Sequence, residues 1–149
     1  MTNSQTVRTE QVSARPLAVA SAVTTPDRLG DDIRRLLGQV WPVLREQGVK
    51  TGLNVVVYRN NPMTIEAGVE VFSAFQETEL VRRSTTPEGE VATTTHWGDY
   101  SQMRPAYQAL EDWSSSSGRA FAGVSWEVYG HWSDDPSKLR TDIYFLLES

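Results

Sequence analysis

DRLGDDIRRLLGQVWPVLREQGVKTGLNVVVY, residues 27–58, decides the fold, because the period of its apolar residues changes once along its length. Leu29, Ile33, Leu36, Leu37, Val40, Trp41 and Leu44 recur at steps of three and four, the stripe of an amphipathic helix. Gly48 stops that helix. Pro42 lacks an N–H for the helix ladder, so a kink is expected within 38–42. Past Gly48 the run 53–58 is a strand, and a second strand at 63–72 follows the hairpin-type connection Arg59-Asn60-Asn61-Pro62. Upstream, 11–25 carries Val12, Leu17, Val19 and Val23 with Pro16 interrupting them, which predicts a strand near a sheet edge or one with an irregular start.

The second half repeats this order. A hairpin or long bent strand is expected over 79–96 around Pro87-Glu88-Gly89. A helix follows over 101–116, with Met103, Tyr107, Leu110 and Trp113 as its stripe, Asp99 or Ser101 as its cap, and the serine run 114–117 with Gly118 at its end. Strands at 125–132 and 139–148 close the chain. Gly48 then superposes on Gly118 and Tyr58 on Tyr129, a spacing of about 70 residues. The expected fold is α+β: two pseudo-symmetric strand-helix-strand-strand units, forming an antiparallel sheet with both helices on one face.

Composition narrows the chemistry. The chain has 149 residues, enough for one domain with a full core, and a formal charge of −5 with no dense basic run. Direct nucleic-acid binding and binding to anionic membrane surfaces are therefore not expected. Cysteine is absent and there are two histidines, His96 and His131, which removes thiolate catalysis and cysteine-based metal sites. No metal and no cofactor is expected. With no signal-peptide pattern and no apolar run long enough to span a bilayer, the expected location is cytoplasmic.

The strands after each helix are apolar on both faces, Val55, Val56, Val57 and Tyr58 in the first half and Ile143 to Leu147 in the second. A sheet covered on one side should alternate, so something apolar is expected against the other face, either a partner subunit or a ligand cavity. Within Trp126-Glu127-Val128-Tyr129, period two sends Trp126 and Val128 to one face and Glu127 and Tyr129 to the other. With Trp126 and Val128 under the helices, Glu127 projects from the opposite face into an aromatic-lined setting. Such a carboxylate attracts a cationic or hydrogen-bond-donating ligand, or serves as a general acid or base. The plainer alternative pairs Glu127 with Arg140 or Lys138 across the terminal hairpin. Tyr58, Tyr129, Tyr144 and Trp132 can fall beside Glu127, and aromatic faces there suit planar or cationic molecules.

Trp41 and Trp113 end their helical stripes and are read as core, while Glu66 and Glu70 are read as a solvated strand face. His96-Trp97-Gly98-Asp99-Tyr100 leads into the second helix and places Trp97 and Tyr100 as stacking residues at a helix N-terminus. His96 is read there as a cap or surface residue before a catalyst. Asp134 and Asp135 beside Pro136 are turn residues.

These residues in this order resemble the GyrI-like small-molecule-binding domain, the effector-binding domain of bacterial multidrug-sensing transcription regulators. The resemblance rests on Gly98-Asp99-Tyr100 before the second helix, Trp113 near its end, the Glu127-Val128-Tyr129 strand and the Thr141-Asp142-Ile143 final strand. Asp99 stands where the family has proline, and Phe145-Leu146-Leu147 departs from the usual Ile/Val-Pro-Leu ending. The resemblance implies a single domain over 8–149 behind a disordered segment 1–7, and a concave ligand groove on the sheet face opposite the helices. It implies Glu127 as the central acid of that groove with Tyr58, Tyr129 and Tyr144 as its walls. The ten residues ahead of the first strand are too few for a helix-turn-helix, so a stand-alone form is expected, as monomer or homodimer.

Three functions follow. The first is binding of a small hydrophobic or cationic ligand through Glu127, Tyr58, Tyr129, Tyr144, Trp132, Trp97 and Tyr100. The second is a hydrolase on the same groove, with Glu127 directing water and Tyr129 or Tyr144 donating a hydrogen bond to the developing charge, similar to the family members that open cyclopropane rings. The third is a protein-interaction module such as a gyrase modulator.

Overall fold

The computed structural model describes residues 6–60 and 63–149. In chain order its strands are β1 (Arg8–Val12), β2 (Pro16–Val23), β3 (Thr51–Arg59), β4 (Thr64–Val71), β5 (Arg82–Thr85), β6 (Gly89–Trp97), β7 (Phe121–Tyr129) and β8 (Arg140–Leu147). Helix α1 (Leu29–Gln47) lies between β2 and β3, and α2 (Arg104–Ser117) between β6 and β7. All strands join one antiparallel sheet in the order β1-β6-β8-β7-β3-β4-β2-β5. The α+β class and the antiparallel sheet agree with the sequence. Neither helix is long and apolar enough to cross a membrane among the described residues.

That strand order forces the sheet to curl. Strands β1 and β2 stand six positions apart, roughly 29 Å in a flat sheet, yet the chain from Val12 to Pro16 can reach only about 14 Å. The same arithmetic applies between β5 and β6, joined through residues 86–88. The two short straps are tied together, with the Thr86 N–H donating to the Arg15 carbonyl at 3.0 Å and the Arg15 N–H to Thr86 Oγ1 at 2.9 Å. The curl answers why strands apolar on both faces occur here. Leu17, Val19, Val55, Val57, Val91 and Trp126 bury one another on the inner face, so neither a partner subunit nor a ligand is needed to cover them.

Both helices pack on the outer face. Leu36, Val40 and Leu44 of α1 cover Ala18, Ala20, Val56, Ala67 and Val69, and Ala106 and Leu110 of α2 cover Ala92, Ile143 and Leu147. Helix α1 runs on through Pro42 and ends at Gly48, whose φ of 65° lets the Val49 N–H return to the Leu44 carbonyl at 3.0 Å. At its start the Thr24 hydroxyl donates to Asp32 at 2.6 Å, with Arg35 3.3 Å away. The hydroxyl and then the arginines hold the Asp32 carboxyl below its ordinary range. Asp32 therefore contributes stability that is present above the unfolded carboxyl's pKa and is lost as pH falls through its lower folded value. Thr24→Val should lower the urea midpoint at pH 7 and lose that difference near pH 2; a pH-independent difference would refute the linkage.

Three expectations need correcting. Residues 11–25 are not one strand but fall in two, split at 13–15; β1 is an edge strand and β2 lies next to the edge strand β5, so the position near a sheet edge agrees with the sequence. The expected hairpin over 79–96 is not one, because β5 pairs with β2 and β6 with β1 and β8. Glu70 is buried, accepting the Leu53 N–H at 3.0 Å and pairing with Arg15 at 2.9 Å, so it is no solvated face. Residues 1–5 of the segment expected to be disordered, and positions 61 and 62 of the hairpin connection, lie outside the described residues; Val7 packs against the α2 cluster.

Candidate functional site

The helices leave the middle of the outer face open. Helix α1 rests on β2 and β4 and α2 on β6, whereas the central seam is β3 against β7, where Val56 faces Glu127. Over that seam lies a cavity of about 680 Å³. Leu29, Ile33 and Leu37 of α1 form one wall, Met103 and Tyr107 the other, and Tyr58, Glu127 and Tyr129 the floor. Trp132 stands at the mouth, 72% exposed.

Glu127 is 6% exposed and accepts three phenols. Its Oε1 receives the Tyr58 hydroxyl at 2.8 Å and the Tyr129 hydroxyl, and its Oε2 receives the Tyr107 hydroxyl. Burial first, and the Glu127 charge second, push all three phenols well above the ordinary tyrosine range. They therefore remain protonated donors at every physiological pH. A carboxylate has about four acceptor positions, so three phenols leave room for one further contact, on Oε2. No cation of the protein meets Glu127 among the described residues, and its neutral partners leave its charge for whatever enters the cavity. Tyr100 meets Tyr129 edge to face, centroids 5.6 Å apart, and extends the aromatic wall toward the solvent.

Of the residues singled out in the sequence, Glu127, Tyr58, Tyr129, Tyr100 and Trp132 line this cavity. Two do not. Tyr144 stacks on Trp126 on the inner face, and Trp97 lies exposed under the Arg140 guanidinium, 5.5 Å from its ring centroid. The face assignment is also corrected. Glu127 and Tyr129 share the helix-covered outer face with Val56 and Ile143, and Trp126 and Val128 take the inner one, so the Glu127 groove lies between the helices and not opposite them. Period two separates Trp126 from Glu127 but cannot say which side the helices take when the curl buries both.

Tyr107 was the missed residue. Its place in the α2 stripe reads as core, yet its hydroxyl needs a partner once buried, and that requirement was the available signal. Trp41 and Trp113 pack against the α1 and α2 clusters as expected, with the Trp41 indole donating to Asn54 at 3.0 Å. His96 is buried, its Nε2 donating to the Asp99 carbonyl at 2.9 Å, so it is neither a surface residue nor part of the cavity. Asp99 caps the turn before α2 by accepting the Ser101 N–H at 2.8 Å and its hydroxyl, which hold its carboxyl below the usual range.

The same fold occurs in solved structures. The EcmrR C-terminal domain superposes with a TM-score of 0.80 at 18% identity, over 97% of this chain and 98% of that one. In the EcmrR–DNA complex the match covers 58% of the EcmrR chain. SAV2435 bound to tetraphenylphosphonium gives 0.70 at 9% identity, over 97% and 94% of the two chains. A hydrolase from Listeria innocua gives 0.62 at 11% identity, over 99% and 94%. No curated protein matches the chain. The family model for the GyrI-like small molecule binding domain matches residues 5–148, and the chain belongs to that family.

Proposed function

We propose that the chain binds an aromatic, cationic or amphipathic small molecule in the cavity between α1 and α2, with Glu127 as its counter-charge. The observation that carries this reading is a buried carboxylate held by three neutral phenols on the floor of an apolar and aromatic cavity. A cation entering there meets an anion that no arginine or lysine among the described residues has neutralised, together with ring faces that attract positive charge. Tetraphenylphosphonium on SAV2435 is a ligand of this chemistry. A hydrolase would need a Glu127 oxygen free to take a proton from water. Oε2, with one phenol, keeps a single acceptor position for such a water, so turnover stays the second reading and product formation that Glu127→Gln abolishes would identify it.

The test is tryptophan fluorescence, with Trp132 at the cavity mouth, titrated with tetraphenylphosphonium and with neutral triphenylphosphine oxide. Glu127→Gln keeps an acceptor for the phenols and removes the charge. It should weaken the phosphonium roughly 10- to 150-fold, the size of a charge-assisted contact of about 1.5–3 kcal/mol, and leave the oxide within about threefold. Equal loss for both probes would sink the proposal.

A further inference from the structure

The inner face of the curled sheet carries a second cavity, of about 440 Å³, bounded by Ser13 and Arg15 of the first strap and floored by Trp126, Val128 and Tyr144. We propose that it is a separate binding site for a neutral polyol of the sugar class.

Two unused donors mark it. Trp126 is 3% exposed, and among the described residues its indole N–H has no hydrogen-bond partner, nor has the Tyr144 hydroxyl. A buried indole N–H ordinarily finds an acceptor. Among the described residues the fully enclosed polar atoms without partners are the Thr93 and Thr141 hydroxyls and not the indole N–H, which therefore keeps some solvent access on a ring that lines the cavity. Trp126 and Tyr144 face each other across β7 and β8 with rings parallel, 11° apart in plane and centroids 5.2 Å apart. Neighbouring strands thus bring to one cavity two rings whose donors have no partner among the described residues. Burial, Asp142 and Glu10 hold the Tyr144 hydroxyl above its ordinary range, against Arg15 and Arg8, so it stays a donor.

Charge selects the ligand. Each carboxylate of the cavity already holds an arginine: Glu10 with Arg8 at 2.5 Å, Glu70 with Arg15 at 2.9 Å, and Asp142 with Arg140 at 3.1 Å. With each carboxylate matched by an arginine, the lining offers neither a cation nor an anion an uncommitted counter-charge. Hydroxyl groups both accept and donate, so a sugar can take the indole and phenol protons while donating to spare carboxylate lone pairs, at no net charge. Val12 and Val128 remain for its C–H faces.

The experiment follows the indole N–H resonances of the ¹⁵N-labelled full chain, with Trp126 and Trp132 assigned by Trp126→Phe and Trp132→Phe. N-acetylglucosamine and glucose at millimolar concentrations should shift the Trp126 resonance saturably and leave Trp132 in place, while tetraphenylphosphonium moves Trp132. Tyr144→Phe, which keeps the ring stack, should weaken the sugar response at least fivefold. No saturable shift at Trp126 with either sugar would overturn the proposal, as would an undiminished response in Tyr144→Phe.

Discussion

Gly68→Ala is expected to cost about 4 kcal/mol or more, a large part of the stability of an ordinary domain. Gly68 sits in β4 between Val19 of β2 and Val55 of β3. A methyl group there would stand 1.8 Å from the Ala18 carbonyl oxygen and 2.8 Å from the Val19 Cα. These are backbone atoms of the adjoining strand, with no flexible side chain to swing aside, so β2 must leave its register. Losing that register displaces Leu17 and Val19 from the inner core and Ala18 and Ala20 from beneath α1. Gly38→Ala is the matched control. It lies on the exposed side of α1 with nothing within 4 Å of the added carbon, and should stabilise by about 0.5–1 kcal/mol. Urea denaturation of both variants decides the matter, and an unchanged midpoint for Gly68→Ala would refute the close approach.

Leu110→Ala should cost about 3 kcal/mol and should weaken every ligand of the Glu127 cavity, charged or not. Leu110 is fully buried with Met103, Ala106, Ile143 and Leu147, and truncating such a side chain leaves a hole that the sheet beneath cannot fill. Helix α2 is held by this cluster, with Trp113 and Tyr107 packed against its margin. It ends in four serines, poor helix formers, so its stability comes from this packing. Tyr107 stands three residues before Leu110 on the same helix, and loosening the helix withdraws one of the three phenols from Glu127. The two variants therefore separate: Glu127→Gln discriminates between phosphonium and oxide, whereas Leu110→Ala should reduce both together. Chemical denaturation alongside the fluorescence titration checks this. Normal affinity for both probes in a destabilised Leu110→Ala would show that α2 does not shape the site.

What could be read in the sequence was whatever depends on neighbours along the chain. The period of 29–44 gave α1, Gly48 and Gly118 gave the helix ends, and the pair β3–β4 followed from a short connection and β7–β8 from a turn-rich one. Partner choice over long distances was not legible. Nothing local in 79–96 says that β5 will cross to β2 while β6 turns to β1, and a strap at 13–15 looks like an interruption of one strand. Glu127 stood out because a carboxylate among apolar strands needs an explanation. Its surroundings did not, since register decides them: β8 pairs so that Ile143, not Tyr144, lies beside Glu127. A slip of one residue would have put Tyr144 in the site, and no pattern in a strand apolar on both faces forbids that.

The seam between β3 and β7 has a consequence for how the chain reaches this state. Hairpins β3–β4 and β7–β8 and the two helices are local and can form early, but the seam unites residues 55–59 with 124–128, and the straps require both sheet edges to be in place. Pairing over such separations pays its loop-closure entropy before it returns any stabilisation, which puts folding in the slow, millisecond-to-second regime of non-local topologies. Closing the seam is also the event that brings Tyr58 from one half onto Glu127 from the other. A molecule seated on both halves thus has nothing to grip in the open chain and acts as a latch on the closed one, lengthening its lifetime against unfolding.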